Sequence, residues 1–580
     1  MNAAVLIVGA GPSGLSLALA LSQNGVAVRI IDKVSTYRVG QRGAGVQPRI
    51  LELYKFLGVL PDIQKRGGFI SPMVHYLPGG EMKNVEMIAF MQNTLDRPYM
   101  HDYIILSSQD RHEEVLREHL ARYGVTVELG TELVSFEQFP DRVVSRIIKT
   151  RNGQQFEEYF ESQWLIGTEG AHSVVRKTLG LTFLGETRKG DHLIMGDIHI
   201  KKELLDRGLL HVWGESATKS ATVMPFESKD NDKYSVLYLG RDLDGTKAVS
   251  SQEEFIKVFY DITGRTDVEF GDLIWASTFQ PNTRMVNSYG SGQVFVAGDS
   301  AHVHSPTGGQ GLNSGIQDTI NLAWKLALVQ KGIAPRSLLD SYSQERIPVI
   351  AAMLDKTSEL HAKTFTPGGG QTGWTRGFEL RQLGINYRGS PIVVDETPVQ
   401  GEEAVDPYRS GDDGTVRGGD RAPDAPGLIS VNDPKRETSL FDIFGSSYHT
   451  VLVFSEDNTA VLDALKNYPA GILKSVVILP QKPTGVISAD YVLVDSDGYA
   501  HKHYNMVEKL TKIVVVRPDG MIGGLVGGVD GLKQYFNGIL DMPTVTCSDS
   551  NDLHVISNLA THIGTIELSI LCPPIPYNTV

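Results

Sequence analysis

Three clusters of glycines and carboxylates have the spacing of ligand-holding turns. Gly9, Gly11 and Gly14 lie between an apolar run at 4–8 and a helix-like run at 15–23, and a second apolar run at 27–31 ends on Asp32. Strand, glycine turn, helix, strand and terminal acid in that order form a dinucleotide-binding fingerprint. Gly9 serves the tight turn, Gly11 a close approach of backbone to a pyrophosphate, and Gly14 the packing of helix on strand. The helix start offers unpaired N–H groups to phosphate. Asp32 would take ribose hydroxyls, with Lys33 beside it in the same subsite.

The second cluster is Trp164-Leu-Ile-Gly-Thr-Glu-Gly-Ala-His-Ser-Val-Val-Arg176, an apolar strand that ends in a turn at Glu169 and Gly170, with Arg176 beyond. The third is Val294-Phe-Val-Ala-Gly-Asp-Ser-Ala-His-Val-His-Ser-Pro-Thr-Gly-Gly-Gln-Gly-Leu-Asn313. Its strand delivers Gly298 and Asp299 at the C-terminal end, where ligands of open α/β sheets collect. Gly308, Gly309 and Gly311 then bring bare backbone to a flat ligand before a helix begins near Leu312. His302 and His304 have a metal-like spacing, but no third ligand is suitably placed, so no metal is expected.

These turns require an α/β scaffold. Residues 1–181 alternate strands with helices, including helices at 50–57 and 110–123, and read as the first part of a nucleotide domain. Residues 182–280 turn to strands, at 193–200, 209–214, 220–226 and 234–239, and read as an inserted sheet for substrate. Residues 281–365 return to the nucleotide domain with a strand at 293–297 and helices at 312–330 and 337–360. The Gly-, Pro- and Asp-rich stretch 366–424, with Pro367 to Gly370 and Gly411 to Gly414, reads as a connector. A small α/β domain follows at 425–545, with strands at 450–454, 475–479, 491–494 and 512–517 and helices at 458–468 and 529–540. Residues 546–580 are a C-terminal extension. Gly523 to Gly528 has no helix in register and is a poor second nucleotide site.

The chain has 580 residues, 41% of them hydrophobic, which suits an enzyme large enough to bury a cofactor. A net charge of −14 without a basic run argues against nucleic acid. Two cysteines, Cys547 and Cys572, offer neither a disulfide framework nor a CxxC pair, which makes a disulfide reductase a weaker rival reading. The first apolar run is too short for a membrane helix, so a cytoplasmic protein with no membrane partner is expected.

With these motifs the sequence resembles the FAD-dependent aromatic hydroxylases, single-component flavoprotein monooxygenases of the p-hydroxybenzoate hydroxylase and phenol hydroxylase type. The resemblance covers residues 1–360 and is supported by Gln41-Arg-Gly-Ala-Gly-Val-Gln-Pro-Arg-Ile-Leu-Glu52, Ser108-Gln-Asp-Arg-His-Glu-Glu114 and Leu338-Leu-Asp-Ser-Tyr-Ser-Gln-Glu-Arg-Ile-Pro348. The tail, including Arg517-Pro-Asp-Gly520, is similar to the thioredoxin-like domain of the phenol hydroxylase branch. The implied fold is α/β: a Rossmann-like FAD domain, an inserted mainly β substrate domain and a thioredoxin-like domain lacking CxxC.

The resemblance implies that Asp32 binds the adenosine ribose of FAD, that Arg42 and Gln109 contact its pyrophosphate and ribityl portions, and that Asp299 holds a ribityl hydroxyl. Gly309, Gly311, Leu312 and Asn313 would line the isoalloxazine, and the helix after Gly311 would stabilise the anionic reduced ring. Pro306 would place its carbonyl against substrate. The family has Asp at the position of Glu169, so the turn must adjust to a longer carboxylate; Arg176 is retained. His211, Trp213, Met224 and Phe226 are candidates for the pocket wall, with ordinary core packing as the rival reading.

The implied reaction is reduction of FAD by NADPH or NADH, formation of a flavin hydroperoxide with dioxygen, and oxygen transfer to a phenolic or related aromatic substrate. One fingerprint leaves the nicotinamide as a visiting cosubstrate. Phenol hydroxylases place an acid in the loop matched by 42–47, where this chain has Ala44, which argues against phenol itself. Oxidative decarboxylation of a hydroxybenzoate, epoxidation and ring expansion are alternatives, as is a non-enzymatic flavin-binding assembly module. A homodimer is compatible with the small domain.

Overall fold

Val5–Val8 (VLIV) is buried along its whole length, because it is flanked by parallel strands on both edges and covered by helix Pro12–Gln23. A computed structural model describes residues 3–69, 71–77, 81–86, 100, 103–187, 190–201, 204–225, 232–306, 308–366, 378–397, 405–409, 415–506 and 513–541. Cys547, Cys572, Phe226 and the glycine runs at 367–370 and 411–414 lie outside these residues.

The nucleotide sheet has six strands in the order Gly290–Ser291, Val294–Val296, Trp164–Gly167, Val5–Val8, Val28–Ile31, Val127–Glu128. All but the first are parallel, and the register sets Val8 beside both Ile31 and Gly167, with Gly167 beside Val296. The residues that follow these strands, Gly9, Asp32, Thr168 and Ala297, therefore emerge along one edge. The strand order reverses at the first strand, which has Val28–Ile31 on one side and the much later Trp164–Gly167 on the other, and such a reversal creates the crevice where open α/β sheets hold ligands.

A seven-stranded sheet stands apart, in the order Phe270–Phe279, His192–Ile200, Lys233–Gly240, Lys219–Pro225, Leu210–Glu215, Met73–Tyr76, Met82–Glu86. Its last two strands come from before residue 182, so the strand-rich insertion is completed by the first part of the chain. One face is covered by helix Gln252–Thr263, whose Phe255 and Phe259 pack with Trp213, Val223 and Tyr238. Residues of the opposite face form two apolar groups, Leu193, Leu237, Leu239 and Phe365 at one side and Met73, Leu210 and Val212 at the other.

A three-stranded meander, Thr131–Gln138, Val143–Arg151 and Gln154–Ser162, has no counterpart in the expected elements. Only its central strand alternates clearly, burying Val143, Ser145 and Ile147. The tail contains an eight-stranded mixed sheet. Within it, His449–Val453, Leu473–Leu479 and Tyr491–Val494 are parallel, and Ile513–Val516 and Ile522–Val526 continue it antiparallel. Ile522–Val526 takes up part of the glycine-rich run at 523–528, and a Cβ on Gly523 would lie 2.3 Å from the Tyr535 hydroxyl. The connector is more than a tether: Val394–Asp395 pairs with Ile522–Val526, and Leu383, Ile385, Tyr387 and Tyr408 are buried.

Candidate active site

The fingerprint glycines have three distinct surroundings. Gly9 has φ +100°, and a Cβ there would lie 2.5 Å from the Thr168 carbonyl oxygen; a Cβ on Gly14 would lie 2.0 Å from the Gly9 oxygen. Around Gly11 a Cβ would meet nothing within 4 Å. Two glycines thus serve packing, and the third leaves open space at the start of helix Pro12–Gln23. Asp32 turns back to the same loop, its Oδ2 accepting Ala10 N–H at 2.8 Å and its Oδ1 accepting Val34 N–H at 3.1 Å. Lys33 is exposed beside it.

The second and third motifs meet on Ser300, a buried residue that sequence reasoning did not single out. Its hydroxyl donates to Glu169 Oε2 at 3.1 Å and accepts Gly170 N–H at 3.0 Å; its carbonyl accepts from Arg176 at 3.0 Å. Glu169 Oε1 also accepts Ser173 Oγ–H at 2.8 Å and Val175 N–H at 2.9 Å, so the longer carboxylate ties its own turn to the Gly298 turn. Arg176 is buried, gives its second amine to the Ala171 carbonyl at 2.7 Å and lies 3.8 Å from the Phe183 ring centroid. In this arrangement Arg176 braces the two turns.

Asp299 is surrounded by protein, and that burial raises its pKa, yet the side chain is open to solvent, which places it at the floor of a cleft. Behind it Asp318 accepts Gly298 N–H at 3.0 Å, His302 Nε2–H at 2.8 Å and Arg346 Nε–H at 2.7 Å. Burial pushes the Asp318 carboxyl up, but His302 and Arg346 hold it below the usual range. His304 bonds the Ser305 carbonyl, its Nε2 sits 2.8 Å from where a Gly311 Cβ would be, and burial lowers its pKa to about 4. The two histidines of the His-x-His run are thus both engaged in packing.

Helix Gly311–Gln330 begins at this cleft, and its first turn has N–H groups without intrahelical acceptors. The side chain of Gln310, also unforeseen, holds that start: Nε2 donates to the Gly308 and Leu380 carbonyls at 2.9 and 3.0 Å, and Oε1 accepts from Gln382 and Tyr408 at 2.8 Å each. Asn313 donates to Gly309 O at 2.8 Å and Gly45 O at 2.9 Å and accepts Gln47 N–H at 2.8 Å, so its side chain fixes the neighbouring loop. Leu312 packs near Gly43. Pro306 is exposed, and its carbonyl accepts Gly309 N–H at 3.0 Å.

The loop with Arg42 lies over this region. Gly43 N–H donates to Gln109 Oε1 at 3.4 Å, and Gln109 Nε2 donates to Glu113 at 2.8 Å. Arg42 is exposed at φ +26°, 5.5 Å from the Trp275 ring, with its pKa lowered first by burial and then by Arg38.

The pocket-wall expectation needs correction. His211 pairs with Val223 and Trp213 with Ala221, so both point to the face covered by helix Gln252–Thr263. There Tyr76 stacks on Trp213 with centroids 4.6 Å apart and bonds His211 at 2.7 Å. Met224 is on the other face, packed with Met73, Leu210 and Val212, while Phe226 lies outside the described residues. A strand's side chains alternate, so residues 211 and 213 cannot share a face with 224 in this register. His75, opposite Val212, and Asp197, two residues on from Met195, are buried titratable groups of the face opposite that helix.

The chain belongs to the FAD binding domain family, which matches residues 2–357. It is 32% identical over 500 residues to a flavin-dependent monooxygenase of Mycobacteroides abscessus, covering 85% of this chain and 96% of that protein. It is 29% identical over 548 residues to pentachlorophenol 4-monooxygenase of Sphingobium chlorophenolicum, covering 91% and 94%. Among solved structures, the flavin-dependent monooxygenase PieE with FAD and substrate has a TM-score of 0.76 at 22% identity, covering 93% of this chain and 99% of that one. Aklavinone-11 hydroxylase with FAD and aklavinone has a TM-score of 0.73 at 23%, covering 93% and 100%. Within its family the chain is an FAD-dependent monooxygenase of the aromatic hydroxylase type. No helix among the described residues is long and apolar enough to cross a membrane.

Proposed function

We propose that this protein hydroxylates a phenolic or related aromatic substrate with electrons from NADPH or NADH, the substrate lying between the start of helix Gly311–Gln330 and the face of the seven-stranded sheet that is turned away from helix Gln252–Thr263. The observation that supports this most is the convergence of the Gly11 space, the open Asp299 carboxylate and the start of that helix on one sheet edge, opposite an apolar wall. Those residues fit FAD. Gly11 and Asp32 would hold the adenosine diphosphate end, Arg42 and Gln109 the middle, and Asp299 a ribityl hydroxyl. Bound there, FAD would accept electrons from the nicotinamide and activate dioxygen.

The protein's own part is positioning and exclusion of water. The first-turn N–H groups of Gly311, Leu312 and Asn313 present preorganised donors to negative charge. Gln310 and Asn313 keep that turn and the 45–47 loop in place. The apolar face runs across five adjacent strands, from Leu193 to Met73, which at about 4.8 Å per strand spans roughly 19 Å. That width suits a ligand larger than one ring, in keeping with Ala44 standing where a phenol hydroxylase acid would be. Leu and Met side chains there keep water from the reacting centre.

The test is NADPH oxidation and dioxygen uptake by the flavin-loaded protein across a panel of one-ring to four-ring phenols. Stimulation by a multi-ring member, with oxygen recovered in product, is expected. Loss of stimulation throughout the panel would refute the reading.

A further inference from the structure

Residues 40–43 are held to the substrate sheet by contacts that the reading above does not use. The backbone N–H of Gln41 donates to Asp197 Oδ2 at 2.7 Å, and the indole Nε1–H of Trp275 donates to the same oxygen. Asp197 and Trp275 are cross-strand partners, and Asp197 is fully buried. Gly40 rests on the indole so closely that a Cβ would lie 1.8 Å from Nε1, and its φ of +115° is one that only glycine adopts readily. Its N–H donates to Asp110 Oδ2 at 3.1 Å. Arg42, two residues on, has a positive φ, a conformation that persists only where surrounding contacts fix it.

We infer that Asp197 and Trp275 are positioning residues for the cofactor: a latch on the substrate sheet that fixes the 40–43 loop and, through it, Arg42. The inference rests on the reading that this loop borders FAD. The buried carboxylate at this point of the face receives two donors from elements distant in sequence. Ser235 stands opposite Asp197 on the neighbouring strand, and its hydroxyl lowers the pKa of the carboxyl against the rise that burial causes. Asparagine therefore fits here: its oxygen takes the two donors, and its amide can donate to the Ser235 hydroxyl.

The experiment compares Asp197→Leu, Trp275→Phe and Asp197→Asn with the parent in two assays, on full-length protein. Trypsin cleavage after Arg38 and Arg42 reads the loop directly, and FAD titration by fluorescence quenching reads the cofactor. Asp197→Leu and Trp275→Phe should be cut about tenfold faster and bind FAD about tenfold more weakly, as loss of hydrogen bonds to a carboxylate predicts. Asp197→Asn should stay near the parent in both. If Trp275→Phe, which keeps the ring's bulk, shows parental cleavage and affinity, the latch is wrong. Altered cleavage with unchanged FAD binding would refute the link to the cofactor. A parent that binds FAD but oxidises no phenol would refute the proposed reaction and leave the latch standing.

Discussion

Substitution of Gly11 by alanine should weaken FAD binding without weakening the fold, and substitution of Gly14 should do the reverse. Gly11 has φ −75° and ψ −176°, an extended conformation open to any residue, and its Cβ would touch no protein atom. Alanine is a poorer N-cap than glycine, but it restricts the unfolded chain, so the two effects nearly offset and stability should change by under about 1 kcal/mol. The methyl would point into the space left for a pyrophosphate, where overpacking costs about 1–3 kcal/mol, or roughly 5- to 150-fold in affinity. At Gly14 the Cβ would lie 2.0 Å from the Gly9 oxygen and 2.6 Å from Thr168 Oγ1. Neither backbone nor a short hydroxyl side chain can yield cheaply, so a loss of about 3 kcal/mol in fold stability is expected. Urea unfolding of the apoprotein and FAD titration of each variant separate the two effects. Full FAD affinity in Gly11→Ala, or equal destabilisation of the two variants, would show that the glycine turn is a packing device and not the cofactor cradle.

Asp299→Ala should leave the fold intact, because the carboxylate faces the cleft, and should retain FAD poorly on gel filtration; full flavin occupancy would remove Asp299 from the ribityl contact. Glu345→Gln should cost about 3–5 kcal/mol in urea unfolding, since Glu345 is fully buried and takes Lys325 at 2.7 Å and Arg517 at 2.7 and 2.9 Å. Arg66→Ala breaks exposed pairs to Glu114 and Glu118 and should cost under about 1 kcal/mol. Equal losses in these two variants would contradict the burial argument. On acidification, burial holds His112 and His449 at about 3 and His304 at about 4, below the ordinary 6.5, so unfolding takes up protons and stability falls as pH drops below 6.5. Asp424, raised by burial to about 6, acts in the opposite sense between its folded value and 3.8. Each of the three histidines contributes close to one proton near pH 5, roughly 1.4 kcal/mol per pH unit, and the carboxyls raised by burial, Glu113, Asp197, Asp299 and Asp420 besides Asp424, reduce the summed slope. Urea unfolding at pH 6.5, 5.5 and 5.0 measures that slope, and His449→Phe should lower it by about one proton.

The turns along one edge of the nucleotide sheet were legible because each is written in consecutive residues. Apolar runs ending in Gly9, Asp32, Glu169 and Gly298 specify strand ends locally, and parallel pairing brings those ends together. What joins the turns was hidden. Ser300 connects Glu169, Gly170 and Arg176 only once two loops 130 residues apart have met, and a serine after an aspartate gives no local sign of this. The expected pocket wall failed for a different reason. Period-two alternation groups 211 with 213 and 224 with 226, but which group faces outward depends on cross-strand register and on helix Gln252–Thr263, and neither is visible in a single strand.

The tail's strands and helices were legible, close to the expected bounds, but its attachment was not, and its chemistry says how it is attached. Arg517 and Asp519 enter a buried socket between helices Gly311–Gln330 and Asp340–Thr364, where Asp519 meets Asn321 and Trp324 at 3.3 Å and Arg517 meets Glu345. Arg49 reaches the Asp519 carbonyl at 2.6 Å from helix Pro48–Phe56. Burial lowers Lys325 to about 8, while Glu345, pushed up by burial, is held far below the usual carboxylate range by Arg517 and Lys325. Charges in such a site tolerate partners and little else, because an unpaired ion there costs several kcal/mol. The three helices that grip the Arg517 turn include the one whose first turn faces the cleft, so the tail braces that helix along its second half. A sequence read in windows sees only an arginine and an aspartate flanking a proline; their significance lies in partners more than 170 residues away.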